Sequence, residues 1–355
     1  MQTENQREYS EYVEEVREAV EREIGKTVRV QKVNKNNGLV LDGLTIVAEG
    51  VNVSPTIYLN GFFEEYLSDG AVAVAKRIIA IYEANKPKES VDVSFFMDIE
   101  KVSPRIKMKL INYEKNKELL EQVPHVSFLD LAVVFVVVLG SDCDNGFASI
   151  LIQNHHLNFW SMDAEDLYNL AMENTADDFE IIPMRSVIEA IMDEGSASII
   201  MDNGEIEMSI LTNHFRLQGA AGMLHKGIIK QYMKETKADK VWIIPSSIHE
   251  TLLIPCDLMP DTEYVKGMVK EVNATEVALE DILSDKVQFC DGRTAVMENA
   301  EKREARLDKE KAAAAEKPAE KTGLHGKLEK AKEEVKAGNV LGKPQGKTRD
   351  TAMVM

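Results

Sequence analysis

Apolar residues recur at spacings of three and four from Tyr9 to Ile24. Tyr9, Tyr12, Val13, Val16, Val20 and Ile24 share one helical face, and Gly25 closes the pattern. The period then shortens. TVRVQKV, LVLDGLTIVAEG and TIYLN predict strands, and Asn36-Asn37-Gly38 between the first two predicts a tight turn. A helix is expected over Ala71 to Ala84, apolar at Val72, Ala75, Ile78, Ile79 and Tyr82, with Pro87 beyond its end. IKMKLIN predicts another strand and Tyr113 to Gln122 a short helix. LAVVFVVVL, Leu131 to Leu139, is the longest apolar run. A membrane-spanning helix needs about 20 such residues, so this valine-rich run predicts a strand covered on both faces. SILIQN follows as a strand, and Asp163 to Glu173 as a helix with Leu167, Leu170 and Ala171 on one face.

An internal echo organises the second half. ASILIQNHHLNFWSMDAEDLYNLAMENTADDFEIIPMRSVIE and MSILTNHFRLQGAAGMLHKGIIKQYMKETKADKVWIIPSSIHE match in order: SILIQNH with SILTNH, FEIIP with VWIIP. The echo predicts an α+β fold: a mixed sheet built from two related β-β-α-β units with helices packed on it, preceded by an N-terminal helix. The expected divisions are an N-terminal α/β lobe over 1–115, a duplicated body over 116–297, and a charged tail over 298–355. The tail is rich in Lys, Glu and Ala, and Leu324, Leu328 and Ala331 give it only a thin apolar stripe. It reads as mobile with transient helix.

The segment WIIPSSIHE places Ser246, Ser247, His249 and Glu250 together. Ser247-x-x-Glu250 follows a strand and a proline, as Ser186-x-x-Glu189 does in the first echo, and both read as capping boxes. The competing reading is a hydrolase site gathering His249, Ser246 and Glu250 with Asn213 or His214 from the neighbouring segment. It ranks below the cap, because triads draw their members from separate segments and no GxSxG elbow is present. His249 is the residue a cap leaves unexplained, since Ile188 fills its place in the first echo. His155 and His156 are read as neighbours on a strand that face opposite ways, and His214 and His225 lack ligand spacing. Gly219-Ala-Ala-Gly222 reads either as a phosphate approach or, more commonly, as close packing of a helix on a sheet. Trp160 and Trp242 are expected in the core. No metal or cofactor set is expected.

Charge narrows the partners. Residues 1–297 hold 28 Lys/Arg against 49 Asp/Glu, a net of −21, while the remainder is +3. Such a body repels a phosphate backbone, which leaves the tail as the one route to nucleic acid. Cys143, Cys256 and Cys290 are few and far apart, which argues against a disulfide framework or zinc site. The polar N-terminus shows no signal peptide, so a cytoplasmic, membrane-free protein is expected.

VNKNNG, NVSPTIYLN, KLINYEKN, VPH with LDLAVVF, LTN with GAAGML, IIPSSIHE, NATEV and ILSD together resemble the bacterial family called domain of unknown function 5688, over about residues 5–297. That family is typical of anaerobic Gram-positive gut bacteria and brings no activity, cofactor or catalytic residue to carry over. The tail stretch GKLEKAKEEVKAG is similar to tails on proteins of integrated mobile elements. Three functional readings stay open: a non-enzymatic interaction or accessory protein with a protein partner, a hydrolase around His249, and nucleic-acid binding through the tail.

Overall fold

A computed structural model of the chain describes residues 2–48, 50, 53–87, 94–140, 148–191, 208–294 and 296–316. The N-terminal lobe has its own core. Helix α1 (Gln2–Ile24) ends where Gly25 takes φ +65° and its amide donates to Glu21 O at 3.0 Å. Strands β1 (Val28–Asn34), β2 (Val40–Ile46) and β3 (Thr56–Tyr58) form antiparallel sheet I. The predicted turn joins β1 to β2, with Asn37 at φ +61° and Gly38 at φ +70°. Helix α2 (Phe63–Asn85) is longer than expected and breaks at Gly70, so the predicted helix is its second half. Tyr12, Val16 and Val20 of α1 bury against Val74, Ala75, Ile78 and Tyr82 of α2, together with Leu44 and Ile46 of sheet I. The four-residue spacing on α1 makes that face continuous.

Two more sheets follow. After α3 (Ile99–Val102) come β4 (Ile106–Asn112), α4 (Lys117–Leu120), β5 (His125–Phe128), β6 (Leu131–Gly140) and β7 (Ala148–Leu151), and β4, on the near side of the expected division at residue 115, pairs with β6 on its far side. The helix expected over Tyr113 to Gln122 is reduced to a 3₁₀ turn and the single turn of α4. Asn112 accounts for this: its side chain accepts from Lys115 N at 2.9 Å and its carbonyl from Asn116 Nδ2 at 2.8 Å, and both bonds compete with helical pairing. In sheet II, β6 pairs with β4 on one side and with β5 and β7 on the other. Leu131, Val133, Phe135 and Val137 enter the main core, while Ala132 and Val134 enter a smaller one with Ile111, Leu120 and Val123. The valine strand is therefore covered on both faces, as its composition predicts.

Helices α5 (Asn154–Trp160) and α6 (Ala164–Asn174) lead to β8 (Phe179–Pro183) and α7 (Met184–Ile191). Then follow β9 (Ser209–Asn213), α8 (Lys226–Thr236), β10 (Lys240–Ile244), β11 (Thr251–Pro255), α9 (Thr262–Thr275), β12 (Gln288–Asp291) and β13 (Val296–Asn299). Sheet III has the order β13-β12-β10-β11-β9-β8. One face meets sheet II through Leu211, Val241, Ile243 and Leu253. The other packs Trp242, Ile254 and Phe289 under Val265 and Val269 of α9. Trp160 and Trp242 are core residues, donating to Phe96 O at 2.9 Å and Met259 O at 2.7 Å.

The fold is of the α+β class, but every described strand pairing is antiparallel, so the expected mixed sheet is not formed. The echoed stretches are not β-β-α-β. The first runs β7-α5-α6-β8, and the second replaces its second strand by a 3₁₀ helix over Gly219–Leu224. Leu157 and Trp160 explain α5, because their spacing of three turns both toward the main core. The echoed strands also separate: β7 lies in sheet II and β8 in sheet III, whereas β9 and β10 share sheet III.

Helix α10 (Ala300–Glu316) continues past Ala300 into a second unit. Its Ala, Glu, Lys and Arg content favours helix, and Arg306 pairs with Glu310 at 3.0 Å one turn on. The predicted stripe at Leu324, Leu328 and Ala331 lies outside the described residues. No described helix is long and apolar enough to cross a membrane.

Lys109 lies in the middle of β4. Loss of water and the nearby Lys35 push its pKa below the ordinary lysine value. Folding therefore disfavours the charged amine. That penalty is complete below the lowered pKa and disappears as pH rises to the ordinary value. Lys109→Met is expected to raise stability by about 1 kcal/mol at neutral pH. The gain should shrink toward zero in alkaline buffer, as read by urea unfolding at both pH values.

Candidate functional site

The segment from Pro245 to Glu250 does not open a helix. It is a loop returning β10 to the antiparallel strand β11, so the predicted capping box at Ser247 and Glu250 is absent. In the first echo, Ser186 sits inside α7, which starts directly after Pro183, so it does not cap there either. Ser247 instead closes a local turn, its Oγ accepting from His249 N at 3.0 Å. The rest of the loop is held by main chain. Ile248 N donates to Asp281 O, Leu283 N to Ser246 O and Ser284 N to Pro245 O, each at 2.9 Å. That backbone pairing replaces the helix.

His249 joins three segments. Gln218 N donates to its Nδ1 at 3.2 Å, which places the ring proton on Nε2, facing Asp281 Oδ1 at 3.2 Å. Its carbonyl accepts from Thr212 Oγ1 at 2.9 Å. Both ring nitrogens are thus used to hold Gln218 and Asp281 in place. Ser246 is buried and Glu250 partly exposed, and no hydrogen bond joins either side chain to His249 among the described residues. Of the proposed companions, Asn213 is bound up in its own loop. His214 is exposed, with Nδ1 at 3.6 Å from Glu180 Oε1.

The remaining histidines also differ from the sequence reading. His155 and His156 are successive residues of a helix, not a strand, and their rings lie 4.1 Å apart rather than on opposite faces. Burial and the neighbouring His155 lower the pKa of His156. His225 bonds Thr175 Oγ1 through Nε2 at 3.2 Å, and burial lowers its pKa against the opposing pull of Asp178. No group of three or more His, Cys, Asp or Glu able to hold a metal occurs among the described residues.

GAAGML resolves to the packing alternative. All six residues are buried, and a Cβ on Gly222 would meet Phe179 Cδ1 at 2.9 Å. A Cβ on Gly219 would press on His249 O at 2.6 Å and Asn213 N at 2.7 Å. Glycine there lets the 3₁₀ helix lie directly on sheet III and on the His249 loop.

That seating shapes what lies just before it. Residues 213–218 form a loop with Arg216 at φ +53° and Gln218 at φ +58°, both left-handed. Asn213 pins it: its Oδ1 accepts from Phe215 N and Leu217 N at 3.2 Å, and its Nδ2 donates to Leu217 O at 2.7 Å. His249 fixes the far end through Gln218. The loop holds Phe215 54% and Leu217 37% exposed beside a cleft of about 190 Å³. Val136, Val138 and Phe179 give the cleft apolar walls, and Ser149, Thr175 and the ion-paired Lys107 and Asp178 give it polar ones. Sequence reasoning missed Phe215, Leu217 and Asp281. The signal present was Asn213 followed by apolar residues at alternate positions, Phe215 and Leu217, but alternation alone does not reveal exposure.

A polar joint ties the β1–β2 turn, Asn112, Asn116 and Asp130 to residues 279–288. Asn37 Nδ2 donates to Leu279 O at 2.8 Å and Ile282 O at 2.7 Å, and its Oδ1 accepts from Asn116 Nδ2 at 3.2 Å. Asn36 Nδ2 donates to Glu280 O at 2.7 Å, and Asn112 Nδ2 to Leu283 O at 3.0 Å. Asp130 accepts from Ser284 Oγ at 2.5 Å and Gln288 Nε2 at 2.8 Å. The stretches VNKNNG, KLINYEKN, LDLAVVF, ILSD and IIPSSIHE, far apart in sequence, meet here around residues 278–284.

The profile of a family described as "Family of unknown function (DUF5688)" matches residues 9–291. No curated protein and no solved structure matches the chain.

Proposed function

We propose that this chain, which belongs to the DUF5688 family of unknown function, is a non-enzymatic interaction protein that holds an apolar group of a protein partner at the Phe215–Leu217 loop. The observation that carries this reading is the exposure of both side chains on a loop locked at each end, beside a small cleft. Exposed aromatic groups on a pre-ordered loop are what binding surfaces use, because little entropy is lost when a partner arrives. The cleft volume points the same way. At about 190 Å³ it falls below the ~300–1,000 Å³ of ordinary small-molecule sites and suits one large side chain.

The hydrolase reading needs a free ring nitrogen at His249 and a serine within its reach. Both nitrogens face Gln218 and Asp281 instead, which favours a supporting role for this ring. Cytoplasmic location rests on the sequence reading; Cys256 and Cys290 lie buried in different cores of sheet III, and Cys143 lies outside the described residues. An accessory role beside a mobile element, and any nucleic-acid contact, rest on the tail.

Phe215→Ser/Leu217→Ser tests the reading. Both positions are exposed, so stability is expected to change by no more than about 0.5 kcal/mol. In affinity capture from the source cell with mass spectrometry, a partner held by the full chain and by residues 1–300 should be lost with the double variant. A partner lost only with the tail would move the function there. Turnover of a small molecule that survives the double variant would sink the interaction reading.

A further inference from the structure

The chemistry around the cleft specifies its occupant further, on the premise that the Phe215–Leu217 loop is the binding surface. We propose that the cleft takes one large apolar side chain from an extended, cationic peptide segment of the partner. Three observations support this. The cavity has room for a single side chain, with Val136, Val138 and Phe179 as its walls. Phe215 and Leu217 stand at its rim and extend the apolar contact to the neighbouring part of a peptide.

The third observation is charge. The short stretch leading into β8 and along it carries Asp177, Asp178 and Glu180, against Lys107, already paired with Asp178, and Arg216 on the loop. His214 lies toward Glu180 at 3.6 Å. The whole of residues 1–297 adds a net charge of −21. Such a field raises the encounter rate of a cationic segment and opposes an acidic one or a nucleic acid. The apolar side chain then supplies the grip and the charges supply the choice of partner.

Fluorescence anisotropy with the full chain tests both parts. The probes are labelled peptides Lys-Gly-Lys-Xaa-Lys-Gly-Lys with Xaa as Trp, Phe, Leu or Ala, and the same set with Glu in place of Lys. The Trp and Phe lysine peptides are expected to bind about tenfold or more tightly than the Ala peptide, a difference of roughly 1.4 kcal/mol. They should also exceed their glutamate counterparts, by a margin that narrows as salt rises. Phe215→Ser should weaken every lysine peptide and narrow the dependence on Xaa. Asp177→Lys/Glu180→Lys should erase the preference for lysine and leave the dependence on Xaa. Equal binding of lysine and glutamate sets, with Xaa still mattering, overturns the cationic assignment and leaves the loop as a binding surface. No dependence on Xaa in either set overturns both.

Discussion

Gly219→Ala is expected to destabilise the protein by about 3 kcal/mol, at the upper end of overpacking costs. The added methyl would lie 2.6 Å from His249 O and 2.7 Å from Asn213 N, with Thr212 Oγ1 nearer still. Two of those three atoms are main chain, so no rotamer change relieves the clash. Either the 3₁₀ helix lifts from sheet III or the loop from Pro245 to Glu250 moves. Both outcomes break the bonds from Thr212 Oγ1 to His249 O and from Gln218 N to His249 Nδ1. The variant should therefore lose stability and partner binding together, unlike Phe215→Ser/Leu217→Ser, which separates them. Gly227→Ala is the control: in the first turn of α8 its Cβ would meet nothing within 4 Å, so no loss of stability is expected. Urea unfolding of both variants measures the contrast, and a Gly219→Ala loss as small as that of an exposed site would refute the close-packing account.

Asn37→Ala is expected to cost nearly as much, by a different route. The side chain satisfies the carbonyls of Leu279 and Ile282 and accepts from Asn116 Nδ2. Alanine leaves these groups unpaired at a partly buried joint, and it keeps a Cβ at φ +61° without the polar side chain that lets asparagine tolerate the left-handed region. The two effects together come to about 3 kcal/mol. Asn37→Gly removes the same hydrogen bonds but has no Cβ to strain at this φ, so it should recover roughly 1 kcal/mol of the loss. The lobe has a core of its own, so the damage should be local. Hydrogen exchange is expected to quicken in residues 279–283 while the amides of α1 and α2 remain protected. Uniform acceleration through α1 and α2 would show instead that the lobe depends on the joint to fold.

Which parts of this could be read from sequence follows from the range of the forces involved. Period and turn chemistry act between near neighbours, so α1, the Asn37-Gly38 hairpin and β4 lie close to where the pattern places them. The doubly covered strand β6 was legible because nine apolar residues in succession have no polar face to give to water. The capping reading of Ser247 failed for the opposite reason. Ser-x-x-Glu suits a helix start, but the backbone after β10 found better partners at residues 281–284 and at Ala220, none of which is near in sequence. The second strand of the echo failed likewise, because Leu157 and Trp160 are drawn to one face by a core that only the assembled sheets create.

His249 stood out from the sequence as the residue without a structural explanation, and its ring does sit at the crossing of three segments. Its partners Gln218 and Asp281 lie about thirty positions away on either side, a separation no local pattern spans. By itself the sequence determined the α+β class, the chief helices, the doubly buried strand and the acidic field, because periodicity, propensity and charge are properties of the chain. The tertiary structure alone decided the antiparallel pairing of sheet III, the polar joint around residues 278–284 and the exposure of Phe215 and Leu217. Each of these depends on which distant backbone and side-chain groups satisfy one another once water is excluded.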